Sequence, residues 1–245
     1  MLFNIFFVSW TGVAVLIMAL LLILPRKFMA LIVIAWAEIS SSALRILVGT
    51  TFEVRGRENI ADGPAIYAAK HQSAWDTFAY FLIVKNPSYI LKKELLLIPF
   101  WGWCARRYGA VIVNRKGGAS ALKKMVHDVK VRLNRKMPII IFPEGTRSRP
   151  RETALYHPGV AALYKATNVA IIPVAVNSGM FWGRRSFMKY PGKIVIKFLP
   201  PISPGLPRKE FMRRLHSSVE CATDDLVNEA AIQLQKNGLT SHEAL

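Results

Sequence analysis

The 245-residue chain is poor in cysteine and in acidic side chains, and each shortage excludes a class of protein. Its two cysteines, Cys104 and Cys221, cannot build a disulfide framework, and no Cys/His cluster has zinc spacing. We therefore expect no metal and a reducing compartment. Only 15 acidic residues oppose 33 Lys and Arg, a formal net charge of +18. The expected partners are anions, namely nucleic acid, an anionic membrane surface, or an acidic or phosphorylated substrate.

Charge is missing altogether from the N-terminal segment before Arg26. Residues 5–24 are an apolar run that, as a helix, is long enough to cross one hydrocarbon core. Arg26 and Lys27 follow this run, whereas a cleavable signal peptide carries its positive charge first, so the pattern predicts an uncleaved anchor. The charge order also predicts a cell (inner) membrane protein whose remaining chain is cytoplasmic. Nucleic-acid binding is disfavoured because the cations are scattered rather than gathered on one element.

A second apolar stretch, residues 28–36, is followed by Glu38, three serines and Arg45. Placing either charge at the centre of a bilayer costs about 3 kcal/mol, which favours a helix that lies in the interface or is half-inserted. The alternative is that both stretches are core helices of a soluble protein. We expect residues 1–50 to be a membrane anchor of one or two helices, and residues 51–245 to be one catalytic domain.

From Thr51 onward, short apolar runs alternate with amphipathic stretches. The strand candidates are residues 51–54, 65–69, 110–114, 139–142, 170–176 and 193–199. The helix candidates, residues 119–135 and 207–236, each present one apolar face. This alternation predicts an α/β fold, with a mixed, largely parallel sheet covered by helices behind the N-terminal anchoring segment.

His71 follows one predicted strand, and Asp76 follows five residues later. The two side chains could not pair within one continuous helix, but they can pair across a strand-to-helix turn. A carboxylate that holds one ring nitrogen leaves the other free to act as a general base. The alternative is purely structural, because Ser73 and Asp76 also have the spacing of a capping box.

Three further segments carry residues that could bind a ligand. Phe142-Pro-Glu-Gly-Thr-Arg-Ser148 follows a buried strand and offers a glycine, a hydroxyl and a guanidinium suited to phosphate, although a tight turn with a solvated Arg147 has the same pattern. Gly109-Ala-Val-Ile-Val-Asn-Arg115 delivers a second arginine, which alone is typical of a surface charge. In the fourth segment, residues 172–174, Pro173 favours an edge strand or a bend that faces a ligand.

In this order and spacing, the four segments resemble the motif blocks of the glycerolipid acyltransferases of the 1-acylglycerol-3-phosphate acyltransferase type. His71 and Asp76 look like the H-x4-D motif, and Gly109 to Arg115 is similar to G-x-x-x-x-[DN]-R. Residues 142–148 match F-P-E-G-T-R-S, and Ile-Pro-Val at 172–174 matches the short final block. The resemblance covers roughly residues 54–201.

The resemblance implies transfer of an acyl chain from a thioester to the sn-2 hydroxyl of 1-acylglycerol 3-phosphate, giving phosphatidic acid for phospholipid biosynthesis. His71 would take the hydroxyl proton and Asp76 would orient His71. No acyl-enzyme is implied, so Cys104 is interpreted as a packing residue. The substrate-binding residues implied by the motifs are Lys92, Arg115, Glu144, Gly145, Thr146 and Arg147.

The implied partners are an acyl-coenzyme A or acyl carrier protein thioester as co-substrate, a lysophospholipid acceptor and membrane lipid. No other cofactor, no metal and no nucleic acid are expected. Two alternatives stay open. One keeps the enzyme class but changes the acceptor to lyso-ornithine lipid or another lysophospholipid. The other is a non-catalytic membrane protein that binds anionic lipid, in which His71 and Asp76 serve only structure.

Overall fold

A computed structural model describes residues 1–236 and residue 238, so the last part of the predicted domain, residues 239–245, lies outside the described chain. The helices are α1 (Leu2–Leu20), α2 (Arg26–Val48), α3 (Asp76–Ile83), α4 (Trp101–Tyr108), α5 (Gly118–Asn134), α6 (Gly159–Thr167) and α7 (Arg208–Lys236). The strands are β1 (Thr50–Arg55), β2 (Ile66–Ala69), β3 (Ser88–Lys92), β4 (Val111–Val113), β5 (Ile139–Ile141), β6 (Ile171–Val176) and β7 (Gly192–Phe198).

The seven strands form one sheet in the order β1-β7-β6-β2-β5-β3-β4. Every neighbouring pair is parallel except β6 and β7, which are antiparallel. Five adjacent strands, from β6 to β4, therefore share one direction, and β1 and β7 run against them. The predicted α/β class, with its mixed and largely parallel sheet, is confirmed.

Each of the six predicted strands and both predicted helices is present, with ends shifted by at most one residue. The sequence analysis missed β3, α4 and α6, and it gave no bounds for α3, although the strand-to-helix turn at His71 and Asp76 required a helix there. Pro173 was expected at an edge or a bend, but β6 lies in the interior of the sheet. The sheet tolerates Pro173 because the β6–β7 register starts one residue later, at Val174, and the carbonyl of Pro173 still accepts a hydrogen bond from the Leu199 N–H.

The two N-terminal apolar stretches form two helices that pack against each other and against the sheet domain. Phe3 and Phe7 of α1 make edge-on ring contacts with Trp182 at centroid distances of 5.2 Å. The second helix contains Glu38 and Arg45, the charges that interrupt its apolar stretch, and both residues are exposed. Both helices are long and apolar enough to cross a membrane by length and composition.

Apolar side chains remain exposed along both helices. The most exposed of them, each at least half accessible, are Leu2, Ile5, Val8, Leu16, Leu20, Leu31 and Ile46. Only 17% of the apolar window in α1 and 28% of that in α2 is buried inside the protein. A core helix of a soluble protein would be mostly covered, so these uncovered faces are compatible with association with a membrane.

Two apolar cores cover the two faces of the sheet. The first core contains Phe78, Tyr67, Trp75 and Phe198 and extends to α1 and α2. The second core joins α5, α6 and the first half of α7 to the other face of the sheet. Because both faces are covered, we expect the functional site at the edge where the five parallel strands end, which is where ligands bind in open α/β sheets.

Candidate active site

The carboxyl ends of the parallel strands bring three of the four sequence motifs to one edge of the sheet, whereas the fourth, residues 172–174, lies inside β6 and does not line the cavity there. His71 comes two residues after the end of β2, and Phe142 directly follows β5. Arg115 lies just beyond β4, and the segment after β6 leads to Ser178. These strands are neighbours or next neighbours in the sheet order, so residues far apart in the chain become neighbours in space.

His71 and Asp76 are paired. The Nδ1 atom of His71 lies 2.9 Å from Oδ2 of Asp76. Asp76 is 1% exposed, and its carboxylate is held from both sides: Ser178 donates its hydroxyl to Oδ1 at 2.6 Å, and the Gln72 and Ser73 N–H groups donate to Oδ2 at 2.8 Å. A buried carboxylate fixed in this way orients the imidazole and stabilises its protonated form.

The same segment forms part of a capping box, because the Ser73 hydroxyl accepts a hydrogen bond from Trp75, one residue earlier than in the full motif. The Trp75 N–H donates to the Ser73 hydroxyl at 3.1 Å, and the Ser73 N–H donates back to Asp76. Asp76 therefore closes the first turn that leads into α3 and holds His71 with the same oxygen, Oδ2. The structural and the chemical interpretations coexist in one side chain.

The remaining surroundings of His71 fix the ring further. Its imidazole stacks on the Phe142 ring at a centroid distance of 4.0 Å with planes 15° apart. Its carbonyl accepts a hydrogen bond from the Ser148 N–H at 2.8 Å, which joins the β2 and β5 loops. Nδ1 is engaged by Asp76, and within the described chain Nε2 has no hydrogen-bond partner. His71 lines the large cavity at this edge, so this nitrogen is available for proton transfer.

The cavity beside His71 has a volume of about 710 Å³ and two chemically different parts. Its polar part carries the side chains of Lys92, Arg115 and Arg147, and no carboxylate lines it among the described residues. Its apolar part is formed by α1, α2, α3 and α4, through Val15, Met18, Val33, Trp36, Phe81 and Cys104. This arrangement suits an amphipathic ligand with a negatively charged head and a hydrocarbon chain.

Position 145 requires a glycine, because here the loop of residues 142–148 packs closely against Arg115. Its backbone has φ +70°, a left-handed conformation that side chains rarely adopt. A Cβ atom at this position would lie 2.7 Å from Cδ2 of His157 and 2.9 Å from Nη1 of Arg115. Gly145 and Thr146 line the cavity together with Arg147, so three of the predicted binding positions in this loop reach it.

Glu144 is the one predicted binding residue whose side chain does not line the cavity. It is buried, and its Oε1 atom lies 2.6 Å from Nζ of Lys70, a lysine that is itself 1% exposed. Lys70 also bonds both carboxylate oxygens of Glu220 on α7, at 2.8 and 3.1 Å. Burial raises the pKa of Glu144 to about 7, and Lys70 opposes this shift.

Several residues of this site had no clear signal in the sequence. Ser178, Glu220 and Tyr156, whose hydroxyl donates to Glu220 at 2.8 Å, are ordinary residues of a turn, a helix and a loop. His157, which lines the cavity beside Gly145, follows no recognisable motif. Lys70 did have a signal, since it is a charged residue at the end of an otherwise apolar strand.

Cys104 lies between α4 and α1, is 3% exposed, and has its Sγ atom 3.9 Å from the carbonyl of Val15. Burial raises the pKa of this thiol, which keeps it in the protonated and unreactive form. Its surroundings are those of a packing residue.

The chain belongs to the acyltransferase family, because the family model described as "Acyltransferase" matches residues 51–177. Its curated relatives include the 1-acyl-sn-glycerol-3-phosphate acyltransferase of Pseudomonas aeruginosa, which is 33% identical over 165 residues (67% of this chain and 64% of that protein). The enzyme of the same name from Salmonella typhimurium is 31% identical over 68% of each chain. The one from Escherichia coli is 33% identical over 62% of each chain.

A solved structure has the same fold. The crystal structure of the 1-acyl-sn-glycerophosphate acyltransferase from Thermotoga maritima superimposes with a TM-score of 0.73, covering 92% of this chain and 95% of that one. Its sequence identity is 23%, so this likeness concerns the fold. Among the curated relatives, the match spans 64% of the Pseudomonas protein and 46% of a Chlamydomonas reinhardtii relative.

Proposed function

We propose that this protein transfers a fatty acyl chain from a thioester to the sn-2 hydroxyl of 1-acylglycerol 3-phosphate, giving phosphatidic acid. The observation that carries the proposal is the His71–Asp76 pair at the mouth of an amphipathic cavity. The names of the curated relatives support the acceptor, and the three cations of the cavity suit its phosphate.

In the proposed reaction, His71 Nε2 takes the proton of the acceptor hydroxyl as the oxygen attacks the thioester carbonyl carbon. Asp76 stabilises the imidazolium that forms. The tetrahedral intermediate then collapses, the carbon–sulfur bond breaks, and the imidazolium returns the proton to the thiolate. The protein forms no covalent intermediate, and no cofactor besides the thioester co-substrate is needed.

The binding roles follow from position. Arg115 and Arg147 bind the phosphate, with Lys92 as a third cation, and Gly145 lets the backbone of its loop approach the acceptor. Thr146 offers a hydroxyl in the same loop. Glu144 acts indirectly, by holding the loop to Lys70. The acyl chain lies along the apolar wall supplied by α1, α2 and α4.

We further propose that α1 and α2 attach residues 1–50 to the inner membrane, with the acyltransferase domain, residues 51–245, on the cytoplasmic side. The acceptor and the product are both membrane lipids, and the cavity wall is built partly from these two helices. The basic residues after α1 support a cytoplasmic domain. The donor, coenzyme A or acyl carrier protein, then arrives from the cytosol.

Thiol release from acyl-coenzyme A by purified protein in lipid vesicles tests this function, with and without 1-acylglycerol 3-phosphate. We expect release that depends on the acceptor and is lost in His71→Ala. His127→Ala is the matched control, because His127 is exposed on α5 and outside the cavity. Acyl carrier protein thioesters replace coenzyme A in a second series.

Other acceptors decide between the proposal and its alternatives. Activity with lyso-ornithine lipid or another lysophospholipid, and none with 1-acylglycerol 3-phosphate, would retain the enzyme class and replace the acceptor. If the wild type releases no thiol with any donor and acceptor while still binding anionic vesicles, the protein is a lipid-binding protein without catalysis.

A further inference from the structure

A second cavity, separate from the one at His71, is lined by five arginines. It has a volume of about 370 Å³ and contains the side chains of Arg26, Arg106, Arg107, Arg132 and Arg135, beside Gly109 and Met137. We call this cavity the five-arginine site. It shares no lining residue with the larger cavity, although Tyr108, which lines the larger one, carries the Arg26 guanidinium 4.5 Å above its ring.

The five arginines come from three elements that converge here. Arg26 begins α2, Arg106 and Arg107 lie in the last turn of α4, and Arg132 and Arg135 lie at the end of α5. Helix carboxyl ends attract cations, which accounts for part of the clustering. Two helix ends supply only about one unit of negative charge, so most of the positive charge at this site is not balanced by helix dipoles.

Part of the hydrogen-bonding capacity of these side chains is used by the protein. Arg26 donates to the Tyr108 carbonyl and to Asn86, and Arg132 donates through Nε to the Gly109 carbonyl at 2.7 Å. Each of these bonds fixes a guanidinium while leaving other N–H groups of it free. The side chains of Arg106 and Arg135 have no hydrogen bond or ion pair with the part of the chain that the structure describes, so all of their guanidinium donors are available.

No carboxylate lines the five-arginine site within the described residues. Asp128, which raises the pKa of Arg132, is itself paired with Lys124 at 3.1 Å. Burial and the nearby Arg135 lower the pKa of Arg132, the direction expected for a partly buried guanidinium among like charges. Five like charges around one cavity are expected to have an anion as their partner.

The position of the site indicates which anion. Arg107 donates to the carbonyls of Leu22 and Leu24 at 3.0 and 2.8 Å, so the site lies against the connection between α1 and α2. Leu20, the last residue of α1, is 79% exposed, and Ile23 in this connection is 88% exposed. A cluster of guanidiniums beside exposed leucine and isoleucine side chains matches the headgroup level of a bilayer, where a phosphate lies above hydrocarbon.

We propose that the five-arginine site binds the phosphate of an anionic membrane phospholipid, as a lipid site distinct from the acyl-transfer cavity. Guanidiniums suit a phosphate because their paired N–H groups match its oxygens. The proposal does not depend on acyl transfer, so its test measures membrane binding and not activity.

The test compares flotation of the full chain with phosphatidylcholine vesicles and with vesicles in which part of that lipid is replaced by phosphatidylglycerol. The apolar faces of α1 and α2 contribute to both, so the gain on adding phosphatidylglycerol isolates the anionic component. In the double variant Arg106→Gln/Arg135→Gln we expect the affinity for the anionic vesicles to fall by roughly 30-fold, because each lost cation should lower the affinity by a factor of about five. Binding to phosphatidylcholine alone should not change.

The control is Lys123→Gln/Lys130→Gln, which removes the same charge from exposed positions of α5 that do not line the site. We expect it to lose no more than about twofold. Equal losses in the two double variants, or none in either, would overturn the proposal. Arg106 and Arg135 are exposed and without hydrogen bonds, so unfolding midpoints should match the wild type and confirm that the variants fold.

A soluble phosphate compound is the rival source of the same chemistry. Inorganic phosphate and coenzyme A are each added to the flotation assay at a matched ionic strength of chloride, and their binding is measured without vesicles. Weak competition by both supports the lipid. The opposite result is that either compound binds the wild type tightly but does not bind Arg106→Gln/Arg135→Gln, while this variant keeps its gain in flotation on adding phosphatidylglycerol. That result would assign the site to a soluble ligand and overturn the lipid proposal.

Discussion

Lys70 Nζ lies 2.6 Å from Glu144 Oε1, with both side chains at most 1% exposed. This ion pair joins the residue before His71 to the loop that carries Gly145, Thr146 and Arg147. Glu220 of α7 bonds the same amine, so one cation holds two carboxylates from two other parts of the chain. Lys70 is therefore a positioning residue at the base of the site.

Replacing Lys70 by methionine should destabilise the protein and lower activity. The substitution leaves Glu144 and Glu220 buried without their cation, a loss of about 3–5 kcal/mol for breaking a buried pair. Lys123→Met on the exposed face of α5 is the control and should have little effect. Thermal unfolding in detergent measures the loss. A Lys70→Met protein with unchanged melting would show that the ion pairs contribute nothing.

The stability of the protein should depend on pH through Glu144. Its pKa in the folded protein is about 7, above the ordinary value of 4.5, so between these values the folded state binds more protons than the unfolded state. The contribution of this group is thus largest at about pH 4.5 and below, and is lost as the pH rises through about 7. Glu144→Gln cannot titrate, so it should remove this slope. Melting curves from about pH 5 to about pH 8 test it, and identical slopes in the two proteins would contradict it.

Ser178→Ala should lower the turnover of acyl transfer while leaving the KM for the acceptor nearly unchanged. The buried Ser178 hydroxyl donates to Asp76 Oδ1 at 2.6 Å and does not touch the cavity. Its loss loosens the carboxylate that orients His71, at a cost of about 1–3 kcal/mol, or roughly 5- to 150-fold in rate. Ser217→Ala, on the exposed side of α7, serves as the control. A change confined to KM would mean that Ser178 affects substrate binding instead.

Gly145→Ala should raise the KM for the acceptor sharply. The new methyl group would lie 2.9 Å from the Arg115 guanidinium and would displace the cation proposed to bind the phosphate. Gly205→Ala separates this contact from backbone strain, because Gly205 also has positive φ, at +110°, but has open space around its Cβ position. Steady-state kinetics of both variants over a range of acceptor concentrations provide the comparison. Similar KM values for the two would point to strain alone.

The sequence predicted the part of the site that is formed by residues near the carboxyl ends of strands. The motifs at His71 and Phe142 follow the recognisable strands β2 and β5, and the motif that ends at Arg115 contains β4. Parallel strands bring their carboxyl ends together. What the pattern could not predict are contacts across long separations. Lys70 and Glu220 are 150 positions apart, and Asp76 and Ser178 are 102 positions apart. No local periodicity links such pairs.

The same limit explains the elements that were missed. β3 has five residues and follows Pro87, and α3 and α4 have eight residues each, too few for a clear apolar period. The unbroken course of α2 depended on tertiary packing. Its one face rests on α1 and the sheet domain, which leaves Glu38 and Arg45 free to point outward.

The pairing of β1 with β7 has a consequence for how the chain is made. β1 directly follows α2, and its partner in the sheet begins at Gly192, opposite Thr50. During synthesis the apolar helices and β1 leave the ribosome long before Gly192 does. The β1 edge of the sheet can therefore be completed only after residues 192–198 have been made, so α1, α2 and β1 wait for their sheet partner through most of the synthesis of the chain.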